Sequence, residues 1–301
     1  MRALTLLGLA AYSCLVWGHA AADADAQGSD WLVAVLLVSG AWYLAGYWRV
    51  RRNAHNSRKS IDRDAGLFAA GWCVIAISLL SPLHALGSRS FTAHMIEHEL
   101  LMLVAAPLIA WSRPLGVLIW TFPGAARSGL ARLGHARAFS CGWRSVSAPI
   151  SAALLQAAMM WLWHAPALFD RALEAEGWHM LQHLSLLFSA LLFWWSMNRL
   201  ARAGHHAVAA FWLFFTSVHG ALLGALMALA DSPWYQRYAQ LGLAGTGFLS
   251  PLEDQQLAGI IMWVPGGTVH AAVALWYLGR WLQVSRRSPG GSGLPAARIE
   301  T

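Results

Sequence analysis

Along most of this chain, apolar residues run in long stretches rather than alternating or recurring on one helix face. Seven such stretches, at 31–48, 65–87, 92–111, 148–169, 178–198, 207–230 and 256–282, are each long enough to cross a bilayer as a helix. The pattern predicts an all-α, polytopic transmembrane bundle of about seven spans occupying 31–282. An earlier apolar run follows Arg2 and ends in small residues, so 1–22 reads as a signal peptide or an uncleaved first helix. Residues 115–122 are too short to span and are expected to lie at the interface after Arg113 and Pro114. The tail, 283–301, is rich in Gly, Pro and Ser, has no apolar period and is expected to be disordered in the cytoplasm.

Composition fits this solvent. Of 301 residues 57% are hydrophobic and 12% charged, against roughly 25% charged in soluble domains. The net charge of +7 then reports loop orientation and not nucleic-acid binding. Arg49, Arg51, Arg52, Arg58, Lys59 and Arg63 follow the first span, and Arg113, Arg127, Arg132, Arg137 and Arg144 follow the third. With Arg199, Arg202, Arg280, Arg286, Arg287 and Arg298, 17 of the 21 basic residues fall on one side, which the positive-inside rule makes cytoplasmic. The mature N-terminus is expected outside and the C-terminus inside. Three cysteines, with no C-x-x-C pair, leave His and Met as the ligands a soft metal would use.

Histidine tests that topology, because it was not used to draw it. His84, His94, His98, His164, His179 and His183 all fall at the outer ends of spans, whereas His219 and His270 lie deeper, roughly 16–21 Å down at 1.5 Å per residue. His94 and His98, and again His179 and His183, sit one helical turn apart on a shared face. Histidine at the mouth of an apolar helix is costly unless paired, liganded or wet. The arrangement also repeats. A hairpin over 65–112 carries His84 outgoing and His94 and His98 returning; another over 148–200 carries His164, then His179 and His183. Two such units side by side would converge six imidazoles on one outer pocket.

Several chemistries suit this pattern. Imidazole and thioether suit copper. Two histidines from facing helices can hold haem, although i,i+4 pairs approach one porphyrin face. His94-Met95-Ile96-Glu97-His98 matches the H-x-x-E-H of inverted zinc proteases, but Gln182 replaces the general base in the second copy. Methionines 95, 102, 159, 160, 180 and 262 read singly as packing. In the last span Asp254 and Gln255 either cap that helix or, like Glu97, orient a liganding histidine through its second N–H. Pro265-Gly266-Gly267 should loosen the helix beside a cavity flanked by His219 and His270. His55, His135, His205 and His206 lie in solvated cytoplasmic segments, so no ladder of ligands continues inward.

From residue 65 to 282 the chain resembles the polytopic CtaG family of cytochrome c oxidase assembly factors, which is distinct from the single-span copper chaperone sharing that name. The resemblance rests on Ser81-Pro82-Leu83-His84, His94-Met95-x-x-His98 with Ala106-Pro107-Leu108, and Trp163-His164-Ala165-Pro166. It continues through His179-x-x-x-His183 with Phe193-Trp194-Trp195, His219, Asp254-Gln255-Gln256-Leu257-Ala258-Gly259 and Met262-Trp263-x-Pro265-Gly266-Gly267. It implies a non-enzymatic factor in a bacterial inner membrane that matures haem–copper oxidase, with copper at His84, His94, His98, His164, His179, His183, His219 and His270 delivered to the catalytic subunit. A haem-binding electron carrier and a copper transporter remain the alternatives.

Overall fold

The computed structural model describes residues 30–54 and 57–287, so the signal-like segment and the tail beyond Arg287 lie outside the described residues. Among the described residues the chain is helical throughout, with no strand. Among the described residues six helices are long and apolar enough to cross a membrane, or seven where the bent pair at 137–163 is counted as one span. The chain is a membrane protein built as an all-α bundle.

Helix α1 (Asp30–Asn53) leads to α2 (Arg58–Leu80), which stops at Ser81. There Ser81 accepts the backbone N–H of Leu83, and Pro82 opens a short α3 (Pro82–Gly87). A serine cap followed by Pro at the first helical position is a strong start signal, and it divides the span expected over 65–87. Helix α4 (Phe91–Glu99) is capped by Ser90 and passes through a wide π turn, Leu100–Ala105, into α5 (Ala106–Ser112). Pro107 supplies no N–H to the preceding turn, and Trp194 Nε1 donates to the Met102 carbonyl there at 3.0 Å. Arg113 takes a left-handed φ of 54° and turns the chain into α6 (Pro114–Leu118), a short helix in the stretch expected to be too short to span.

After α7 (Gly124–His135), the amphipathic α8 (Arg137–Val146) meets α9 (Pro149–Trp163) at 60°. The fourth span is therefore shorter than expected, ending at Trp163. Pro166 then opens α10 (Pro166–Glu174), which leads to α11 (Glu176–Arg202). Both hairpins share one plan: a long helix, a proline-opened short helix, then the helix bearing the paired histidines.

Helices α12 (His206–Ala228) and α15 (Pro251–Arg287) form the tightest crossing. A Cβ on Gly259 would lie 2.6 Å from Gly224 O and Ala228 N, so only glycine allows the backbones to approach this closely. Between them run the short α13 (Gln236–Leu241) and α14 (Leu243–Thr246). Helix α15 is continuous for 37 residues, about 55 Å, through Pro265-Gly266-Gly267. The expected loosening does not occur: the helix runs unbroken through the triplet, with Thr268 Oγ1 donating to Val264 O at 2.6 Å and His270 Nδ1 to Gly266 O at 2.8 Å as additional side-chain bonds. Phe193, Trp194, Met197, Leu213 and Tyr277 fill the centre of the bundle. At the basic end, buried Asp64 is held by Arg63 and Arg113, and Arg51 pairs with Asp62 at 2.7 Å.

Candidate metal centre

Helical geometry places His94 and His98 on one face of α4, and His179 and His183 on one face of α11. The two faces meet, and His84 joins them from α3. Ring centroids lie 4.4 Å apart for His94–His98, 4.5 Å for His179–His183, 4.8 Å for His98–His183 and 5.3 Å for both His84–His179 and His94–His179. His183 Nε2 is 2.9 Å from His179 Nε2. His94, His179 and His183 each offer a nitrogen within 4.8 Å of the others. His94, His98 and His183 are buried, whereas His84 and His179 stand half-buried at the mouth.

Glu97, fully buried, lies behind the rings. His84 Nδ1 donates to its Oε1 at 2.8 Å, and His183 Nδ1 lies 3.5 Å from the same oxygen, close enough for charge but not a formed hydrogen bond. Both rings thus turn Nδ1 toward the carboxylate and leave Nε2 for the cluster. Gln182, its counterpart in the second hairpin, is also fully buried.

His164 takes a separate place. In the first hairpin the histidine follows the proline, on α3; in the second it precedes Pro166, at the end of α9. His164 Nδ1 donates to Met160 O at 2.6 Å, and Nε2 faces Met95 Sδ at 3.4 Å. It lies beside the five-histidine cluster as half of a His–Met pair. His270 and His219 belong to a deeper level, where His270 lines a small cavity and His219 stands outside its lining.

Two expected orienting residues act elsewhere. Asp254 touches no imidazole: its carboxylate accepts Ser90 Oγ–H at 2.9 Å, Phe91 N–H at 2.6 Å and Thr92 N–H at 3.2 Å. It caps the neighbouring helix α4, where a carboxylate meets the positive dipole end, and so fixes the start of the helix that carries His94 and His98. Gln255 accepts Trp234 N–H at 2.6 Å and thereby pins the 229–250 connection.

That connection roofs the cluster with residues the spacing arguments did not single out. Tyr235 donates to His164 O at 3.1 Å and Tyr238 to Gly87 O at 2.6 Å; burial pushes both hydroxyls well above the ordinary tyrosine range, so they stay protonated donors. With Phe91 and Phe169 they form an aromatic lid against His94, whose ring lies 5.1 Å from that of Phe169. The signal available for them was a dense aromatic run in an otherwise polar loop.

The family model described as Cytochrome c oxidase caa3 assembly factor (Caa3_CtaG) matches residues 41–284, most of the chain. The chain belongs to that family. No curated protein and no solved structure matches. The matched region of this caa3 assembly factor takes in every helix that contributes a histidine to the cluster, together with the aromatic lid. As an assembly factor it interacts with the oxidase.

Proposed function

We propose that the five-histidine cluster holds copper as cargo and presents it to the catalytic subunit of the oxidase. The carrying observation is a set of buried imidazole nitrogens without a hydrogen-bond partner, including both nitrogens of His98 and Nδ1 of His183. Leaving such groups unpaired is expensive, and a metal ion relieves the cost. The residues fit one: a tetrahedral ion with bonds of 2.0–2.1 Å holds its ligand nitrogens about 3.3 Å apart, within small movements of this cluster. Imidazole donors disfavour magnesium and calcium, and among divalent ions copper binds such sites most tightly. Glu97 does what outer carboxylates do at metal sites, fixing ring orientation and raising ligand basicity.

The competing chemistries fare worse here. Haem with two axial histidines needs a porphyrin between opposed imidazoles, and rings 4.4–5.9 Å apart leave no such slot. A protease base must reach a substrate water, whereas Glu97 is sealed beneath the histidines.

By the positive-inside rule the histidine end faces outward, periplasmic in a bacterial plasma membrane, with the C-terminus cytoplasmic. Copper enters past His84, settles among His94, His179 and His183 with His98 beside them, and leaves sideways to an oxidase subunit docked in the bilayer. Transport to the cytoplasm is disfavoured, because no ladder of histidine, methionine or cysteine ligands continues along the chain to the basic end. The test is the copper content of oxidase isolated from cells carrying His94→Ala/His98→Ala. The expected enzyme retains haem and lacks copper at its catalytic centre; a fully metallated oxidase would refute delivery. Robust copper flux into sealed vesicles containing the protein would identify a transporter instead.

A further inference from the structure

Below the histidine cluster is a cavity of about 30 Å³, room for one water-sized occupant. Its wall combines two chemistries. Met102, Met160 and Met262, from three different helices, bring thioethers, and His270 brings an imidazole. Glu99, Gln156 and Thr216 bring oxygens, of which Glu99 Oε2, Gln156 Oε1 and Thr216 Oγ1 are buried without a partner.

His270 is the informative member. It is 5% exposed, and its ring is stacked on Trp194 at 5.4 Å. Nδ1 donates to Gly266 O, which fixes the tautomer and leaves Nε2 as a buried, unpartnered lone pair. That is the second-atom hydrogen bond by which proteins set a metal-binding histidine.

The cavity also connects to the cluster. Met102 lies four residues after His98, roughly 6 Å further along the helix axis. Met160 lies one turn before His164, whose Nε2 faces Met95 Sδ at 3.4 Å. Met102 and Met160, both in the cavity wall, therefore each lie about one helical turn from a histidine of the outer level, His98 and His164.

We infer that this cavity is a second, inner metal site, selective for cuprous ion, with Met102, Met160, Met262 and His270 as its ligands. Thioethers select Cu(I), whereas the outer imidazoles accept either oxidation state of copper and zinc as well. The inner site thus filters the cargo by softness before release. The inference rests on the copper reading above for its supply of metal.

The test is Cu K-edge absorption spectroscopy with metal counting on the full chain in lipid nanodiscs, loaded with Cu(I) under reducing conditions. Wild type should bind about two equivalents and show sulfur scattering. Met102→Leu/Met160→Leu/Met262→Leu, a nearly volume-conserving change, should lose one equivalent and most of the sulfur signal. His94→Ala/His98→Ala should lose the other, nitrogen-only equivalent and keep the sulfur signal; if it loses nothing, the outer reading fails while the inner one stands. Unchanged stoichiometry and sulfur scattering in the triple variant would overturn the inner site. Should that variant not fold, Met262→Leu/His270→Gln, which leaves only two thioethers, decides the matter: unchanged Cu(I) stoichiometry and sulfur scattering would overturn the site equally.

Discussion

Replacing Glu97 separates two contributions that the geometry combines. Its Oε1 accepts the His84 N–H at 2.8 Å and lies 3.5 Å from His183 Nδ1, and its side chain is fully buried. Glu97→Gln keeps an acceptor in place but removes the charge. A hydrogen bond to a charged acceptor is worth about 1.5–3 kcal/mol and a neutral one about 0.5–1.5, so the loss is roughly 1–1.5 kcal/mol. That corresponds to about tenfold weaker copper binding. Glu97→Ala removes the acceptor as well and leaves His183 without its counter-charge. The upper end of the range for such outer carboxylates, about 100-fold, is then expected. Competition against a chromogenic Cu(I) chelator in nanodiscs measures both, with helical content and particle size as folding controls. Wild-type affinity in both variants would refute the claim that Glu97 orients metal ligands.

Three further outcomes follow from the same structure. Asp254→Ala orphans two backbone N–H groups and the Ser90 hydroxyl at the start of α4, so it should cost about 2–4 kcal/mol in detergent unfolding, and Asp254→Asn less. Gly259→Ala places a methyl 2.6 Å from backbone atoms of α12 and should destabilise by about 1–3 kcal/mol or more, whereas Gly279→Ala, with nothing within 4 Å, should be neutral in the same titration. A reporter fused after Arg287 should be cytoplasmic and one inserted near Glu176 exported; the reverse would move the histidine cluster to the other side of the membrane.

The cluster was legible because it follows from local rules. A four-residue spacing on a helix puts two imidazoles on one face wherever the helix goes, and two hairpins with that spacing need only pack side by side. The breaks at Ser81 and His164 were not legible from hydropathy, which averages over about a span and passes over one capped turn. They matter, since the differing positions of His84 and His164 about their prolines put one inside the cluster and the other beside it. Asp254 shows the limit of helix-end reasoning: its position favours a cap, but the helix it caps begins 163 residues earlier in the chain. Glu99 had a visible signal, an isolated carboxylate inside an apolar run, yet its companions Gln156, Thr216 and His270 come from three other helices and meet only in the folded bundle.

Metal analysis of the protein purified in lipid, loaded with copper and freed of excess, tests the central claim most directly. Wild type should retain copper, and His94→Ala/His98→Ala and His179→Ala/His183→Ala should each lose the outer equivalent while the bundle stays folded. Equal copper in wild type and both double variants would contradict it.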